Sequence, residues 1–156
     1  MLIKIIMAVT LIGLTVTVHA SGISLLLRAM FRLRALAKTG FRPVTRLVIC
    51  MTCWLILVHL VEISLWGFFY YWQGCLSDLE SAFYFSGVTY TTVGYGDIVL
   101  PSTWRIFSML EALTGILMCG LSTGLFFAIV SKWIGNWIER RNALEPGSIP
   151  PLQTNL

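Results

Sequence analysis

Apolar and polar positions fall in long blocks along this chain. From Ile5 to Leu27 only His19 and a few small polar residues interrupt the apolar run. From Leu47 to Trp72 there is no Lys or Arg, and from Ile106 to Ser131 the single charge is Glu111. Each block exceeds the ~20 residues an α-helix needs to cross ~30 Å of hydrocarbon at ~1.5 Å per residue. The second would be about 39 Å long if fully helical, so it should tilt or extend beyond the lipid. The pattern predicts an all-α membrane protein with three spanning helices, over 1–27, 47–72 and 104–138.

A shorter element lies between the second and third blocks. Ser77 followed by Glu80 forms a capping box, which predicts a helix over 77–91. At about 14 residues it is too short to span, so it should enter the membrane and return. Non-helical backbone follows at Thr92-Val93-Gly94-Tyr95-Gly96-Asp97, and Pro101 precedes the third block.

Composition agrees with the blocks. Hydrophobic residues make up 57% and charged residues 12%, against roughly 45–50% and about 25% in soluble domains. A small domain with so little charge cannot solvate its surface. Lys and Arg number 11 against 7 Asp and Glu. Nine of the eleven lie either between the first two blocks (Arg28, Arg32, Arg34, Lys38, Arg42, Arg46) or after the third (Lys132, Arg140, Arg141). If both regions are cytoplasmic, the positive-inside bias places the N-terminus outside and the C-terminus in the cytoplasm of a cell membrane. Val18-His19-Ala20 before Ser21 resembles a signal-peptide cleavage site. Cleavage there would put the six linker charges outside, so the first block is expected to stay in the mature protein.

The five residues 92–96 carry the chemistry. Irregular backbone at membrane depth is tolerated where it is buried in protein or lines a water-filled path. Gly94 and Gly96 can take positive φ. Alternating them with other residues lets successive carbonyls face one side. Four such strands around an axis would replace the hydration shell of a monovalent cation.

From about Leu47 to Trp137 the chain resembles the pore module of the tetrameric potassium channels, of the bacterial type with two helices and a pore loop, here with an extra N-terminal helix. The resemblance implies an outer helix (47–72), a pore helix (77–91), a filter (92–96) and an inner helix (104–138). It further implies K+ held at Thr92, Val93, Gly94 and Tyr95, with Gly96 completing the filter, Thr91 adjoining it, and Asp97 at its outer mouth. Gly115 and Gly120 sit where family members often bend the inner helix; close helix packing is the other reading. Two departures stand out. Tyr84 and Phe85 occupy positions where many relatives have a pair of Trp, and Phe85 cannot hydrogen-bond. Val88 stands where some relatives place a Glu that pairs with the mouth Asp. One filter copy per chain implies a homotetramer with cyclic symmetry.

His19, His59 and Glu62 fall within apolar blocks, where ionisable residues are expensive. His59 and Glu62 share a helix face by i,i+3 spacing, and His19 lies at similar depth. A contact of His19 with His59 or Glu62 is therefore allowed, as a polar clasp between the first helix and the pore or as a proton or metal sensor. Glu111 is free to approach the back of the pore helix or a neighbouring backbone. The basic stretch 28–46 is broken by Gly40 and Pro43, unlike a voltage-sensing helix, and reads as an interfacial segment that meets anionic lipid. Residues 139–156 form a short cytoplasmic tail. Cys50-x-x-Cys53 reads as helix packing, and the sequence leaves open whether Cys75 forms an intersubunit disulfide. No nucleophile–base pair or phosphate loop is present, so an enzyme, a cofactor, a small-molecule substrate and nucleic acid are not expected. A potassium-selective channel subunit is the leading expectation. A modulatory subunit that joins other channel chains and a weakly selective cation channel are the alternatives.

Overall fold

A computed structural model describes residues 2–34 and 42–144. Among the described residues four α-helices follow one another: α1 (Leu2–Arg34), α2 (Arg42–Trp72), α3 (Leu79–Tyr90) and α4 (Arg105–Leu144), the last preceded by a 3-10 turn over Ser102–Trp104. No strand occurs among the described residues. The spans Leu2–Met30, Thr45–Trp72 and Ser102–Glu139 are long and apolar enough to cross a membrane. The protein is an all-α membrane protein.

Helix ends depart from the hydropathy boundaries for local reasons. Between Leu27 and Arg34 no Gly or Pro interrupts the chain, so α1 runs past the end of its apolar block through Arg28 and Arg32. The rest of the basic stretch at 35–41, with Lys38, lies outside the described residues, as does the tail from 145 onward. Helix α3 starts one residue after its capping box predicts. Asp78, in extended conformation, is the N-cap, and its Oδ1 accepts the Ser81 N–H at 2.8 Å. Ser77 instead turns its hydroxyl toward Asp78 Oδ2, at 3.3 Å. A carboxylate is favoured over a hydroxyl there because it also meets the positive end of the helix dipole. The same Ser81 contact holds the Asp78 carboxyl below its ordinary range.

The described residues up to Ser122 form one compact unit, and those from Thr123 on, where α4 continues to Leu144, form another. The core of the first unit gathers Ala8 and Leu11 of α1, Trp66 and Tyr70 of α2, Ala82 and Phe85 of α3, and Phe107 of α4, together with Cys75 and Leu100. Phe69 stacks on Phe107 with ring centroids 5.2 Å apart, and Trp104 meets it edge-on at 5.9 Å. Deeper along the helices, Gly22 lets α1 approach Val58 of α2; an added Cβ would come within 2.6 Å of a Val58 methyl. Two indoles lock this pair, Trp54 donating to the Gly22 carbonyl and Trp66 to Thr15 Oγ1, both at 3.0 Å. Near its start, Lys4 of α1 donates to the Thr103 carbonyl at 2.8 Å and lies over the Trp104 ring. The start of α1 and the loop between α3 and α4 are therefore at one end of this unit.

Candidate functional site

The loop after α3 is built by the end of that helix. Thr91 closes α3, its N–H and hydroxyl both donating to the Gly87 carbonyl. Thr92 N–H then donates to Thr89 O at 2.9 Å, and Gly94 N–H to Val88 O at 3.0 Å. The backbone next alternates in handedness. Thr92 (φ 62), Gly94 (φ 51) and Gly96 (φ 80) are left-handed, while Val93 and Tyr95 between them are not. Left-handed φ is open to glycine, but for a β-branched residue such as Thr92 it is strained by roughly 1–2 kcal/mol. That strain falls at one end of the five-residue stretch, where the surrounding turn overrides the residue's own preference. Alternating handedness is the pattern that lets consecutive carbonyls face one way.

All of residues 91–97 are exposed in the single chain, including the apolar side chains of Val93 (51%) and Tyr95 (73%). At the far end of the loop the Tyr84 hydroxyl donates to Asp97 Oδ2 at 2.8 Å. This bond pushes the Tyr84 phenol above its ordinary value. Phe85 has no polar contact to offer and is buried, edge-on to Tyr70 at 5.3 Å.

Behind the loop, two buried carboxylates hold α3. Glu111 of α4 accepts from Ser86 at 2.6 Å on one oxygen and from Tyr70 of α2 at 2.8 Å on the other. Ser86 also contacts the Ile63 carbonyl. One turn further along α3, Tyr90 donates to Glu62 Oε2. His19 of α1 reaches the other oxygen of Glu62 at 2.8 Å. His59 Nδ1 lies 3.0 Å from the Tyr90 hydroxyl and 3.4 Å from Glu62 Oε2. Ser122 of α4 lies 3.4 Å from the far nitrogen of His19. With N–H on Nδ1 of both histidines every group is satisfied, because His59 then donates to Tyr90, Tyr90 and His19 to Glu62, and Ser122 to His19. His19, His59 and Glu62 are thus brought together, their rings and carboxylate joining α1 and α2 to the end of α3.

Gly115 and Gly120 of α4 differ. Gly115 is buried, and a Cβ there would land on the Tyr90 carbonyl oxygen, so this glycine is a packing position. Gly120 has nothing within 4 Å of the corresponding point. Val88 contributes its backbone carbonyl to Gly94 and no side-chain polarity.

Tyr90 is the residue that sequence reasoning missed. A Tyr in an apolar helix reads as packing; the signal available was its position one turn past Ser86 on the face that meets two carboxylates. Ser122 and the Tyr70–Glu111 pair were likewise silent, since nothing in the spacing of distant segments reveals their pairing.

The helices α2 and α4, each long and apolar enough to cross a membrane, bracket the short helix α3 and an exposed loop of alternating handedness. The family described as Ion channel matches residues 58–132, from the middle of α2 through the loop into α4. This stretch of the chain is similar to that family, and the protein is a multi-pass membrane protein. Neither the curated proteins nor the solved structures gave a match.

Proposed function

We propose that the chain is the subunit of a homotetrameric potassium channel that lets K+ pass down its gradient through Thr92, Val93, Gly94, Tyr95 and Gly96. The observation that carries this reading is the alternation of φ at Thr92, Gly94 and Gly96 on a loop between two spanning helices of an ion-channel family. Oxygen rings from four chains would take the place of the ion's water, and K+ is the cargo. The exposed Val93 and Tyr95 support assembly, since apolar side chains beside a polar backbone are otherwise left without packing. Asp97, fixed by Tyr84, would set a negative outer mouth. The C-terminal end of α3 would direct its partial negative charge toward the path below the filter.

The orientation that fits the charges has the N-terminus outside, the C-terminus in the cytoplasm of a cell membrane, and the basic stretch after α1 against anionic lipid. The test is ion flux into liposomes holding the purified chain alone. Barium-blocked potassium flux, with a reversal potential that follows K+ rather than Na+, is expected. A reversal potential indifferent to the two ions would make it a weakly selective pore, and flux only with a second channel chain would make it a modulatory subunit.

A further inference from the structure

The cluster at His19, His59 and Glu62 is more than the loop requires to stay in place, because Ser86 and Glu111 already tie α3 to its neighbours. Two imidazoles and a carboxylate from two helices converge, with one donor atom of each within 4.8 Å of the others. We infer that these three side chains form a binding site for a divalent transition metal of the zinc class, joining α1 to the pore module.

Ligand chemistry, spacing and outer partners support this. Two nitrogens and one carboxylate oxygen suit borderline ions such as Zn2+ or Co2+ rather than Mg2+ or Ca2+, which prefer all-oxygen sites. Metal–ligand bonds of about 2.0–2.2 Å place neighbouring donors in a tetrahedron roughly 3.3 Å apart. His19 Nδ1 stands 2.8 Å from Glu62 Oε1 and His59 Nδ1 3.4 Å from Glu62 Oε2, the two oxygens of one carboxylate, and a set with one donor atom per residue spans up to 4.8 Å. Closing round an ion therefore takes side-chain shifts of up to about 1.5 Å, within reach of a rotation of the Glu62 carboxylate and the imidazole rings. On binding, each ring nitrogen facing the ion gives up its proton. The proton of His19 then sits on the far nitrogen, where the Ser122 oxygen is in place to accept it. The Tyr90 oxygen is beside the open fourth position. Glu62 is fully buried and His19 nearly so, whereas the His59 side chain keeps 18% exposure and offers the edge through which an ion enters. The remaining positive charge lies near the C-terminal end of α3, where the helix dipole favours a cation.

Purified full-length protein, with any affinity tag removed, is titrated with Co2+ in a Cys50→Ser, Cys53→Ser background. These are the only two histidines in the sequence, so imidazole binding elsewhere is absent. The expected result is one Co2+ per chain with visible absorption of a tetrahedral site, displaced by Zn2+ and unaffected by millimolar Mg2+. His59→Gln, at the partly exposed edge, should weaken binding at least tenfold, and Zn2+ should raise the melting temperature of the unsubstituted histidine site only. Co2+ binding unchanged by His59→Gln and by His19→Gln, or no such absorption at all, overturns the site and leaves the cluster a polar clasp. The readout needs no ion flux, so it can fail while the channel reading stands, and the reverse.

Discussion

Gly115 lies so close to the backbone carbonyl of Tyr90 that no side chain fits between them. In an exposed helix interior Ala is better than Gly by roughly 1 kcal/mol. Here the added methyl must displace the end of α3, two residues before Thr92. Gly115→Ala is therefore expected to lower the melting temperature in detergent and to cut ion flux at least tenfold. Gly120→Ala, with open space around it, should retain both. Equal behaviour of the two variants in paired melting and flux measurements would show that the close approach is unimportant.

Glu111 receives a hydroxyl on each oxygen, from Ser86 and from Tyr70. Glu111→Gln keeps the shape but presents one acceptor and one donor amide, so Tyr70 keeps an acceptor while Ser86 turns its hydroxyl to the Ile63 carbonyl and accepts from the amide, and both charge-assisted bonds are lost. A hydrogen bond to a charged group contributes about 1.5–3 kcal/mol, against about 1 kcal/mol for a neutral one. The variant should melt earlier than the parent by an amount that shrinks when Ser86→Ala is added, since that removes one of the hydroxyls. A double-mutant cycle on thermal unfolding reads this coupling; additive losses would mean that the two residues do not share the bond.

These contacts also mark what could be read without coordinates. The three spans followed from block hydropathy, because crossing hydrocarbon demands about twenty apolar residues regardless of packing. The clustering of His19, His59 and Glu62 was approachable from depth and i,i+3 spacing, since an intramembrane charge must find a partner. Tyr90 escaped because its hydroxyl is one atom on an otherwise apolar ring. Thr92 escaped for the opposite reason: its own preference runs against positive φ, and only the bonds that close α3 impose it. Ser77 was favoured as cap over Asp78 by the spacing to Glu80, a rule that counts positions and omits the charge of the capping group.

Tyr84 donates to Asp97 just past the alternating loop, where the proposed channel has its outer mouth. The sign of its pH response follows from the raised phenol. A group with raised folded-state pKa holds its contribution below the ordinary value near 10 and loses it as pH climbs through the raised one. Between pH 7 and 9 the phenol therefore stays protonated and donating. Tyr84→Phe removes the bond at every pH in that range. The expected outcome is faster decay of flux in the variant, with a parent-to-variant ratio that is constant from pH 7 to 9. A ratio that collapses toward one within that window would place the phenol's titration there and contradict the assignment.

Cys75 bears on how chains are joined. It is 7% exposed, packed in the core with Trp66, Tyr70 and Phe107 rather than turned outward. A disulfide to another chain would need its sulfur within about 2 Å of a partner sulfur, which the surrounding side chains obstruct. Burial also pushes the thiol above its ordinary value, and the thiolate is the form that reacts. A membrane-impermeant maleimide should leave Cys75 unlabelled at pH 7 in folded protein and label it after denaturation. Gln73→Cys, two residues away and exposed, should label in the folded state and serves as the control for access. On non-reducing gels Cys75→Ser and the parent should migrate alike. A covalent dimer in the parent that disappears in Cys75→Ser would show that this sulfur leaves the core and that chains are held together by a bond the packing does not anticipate.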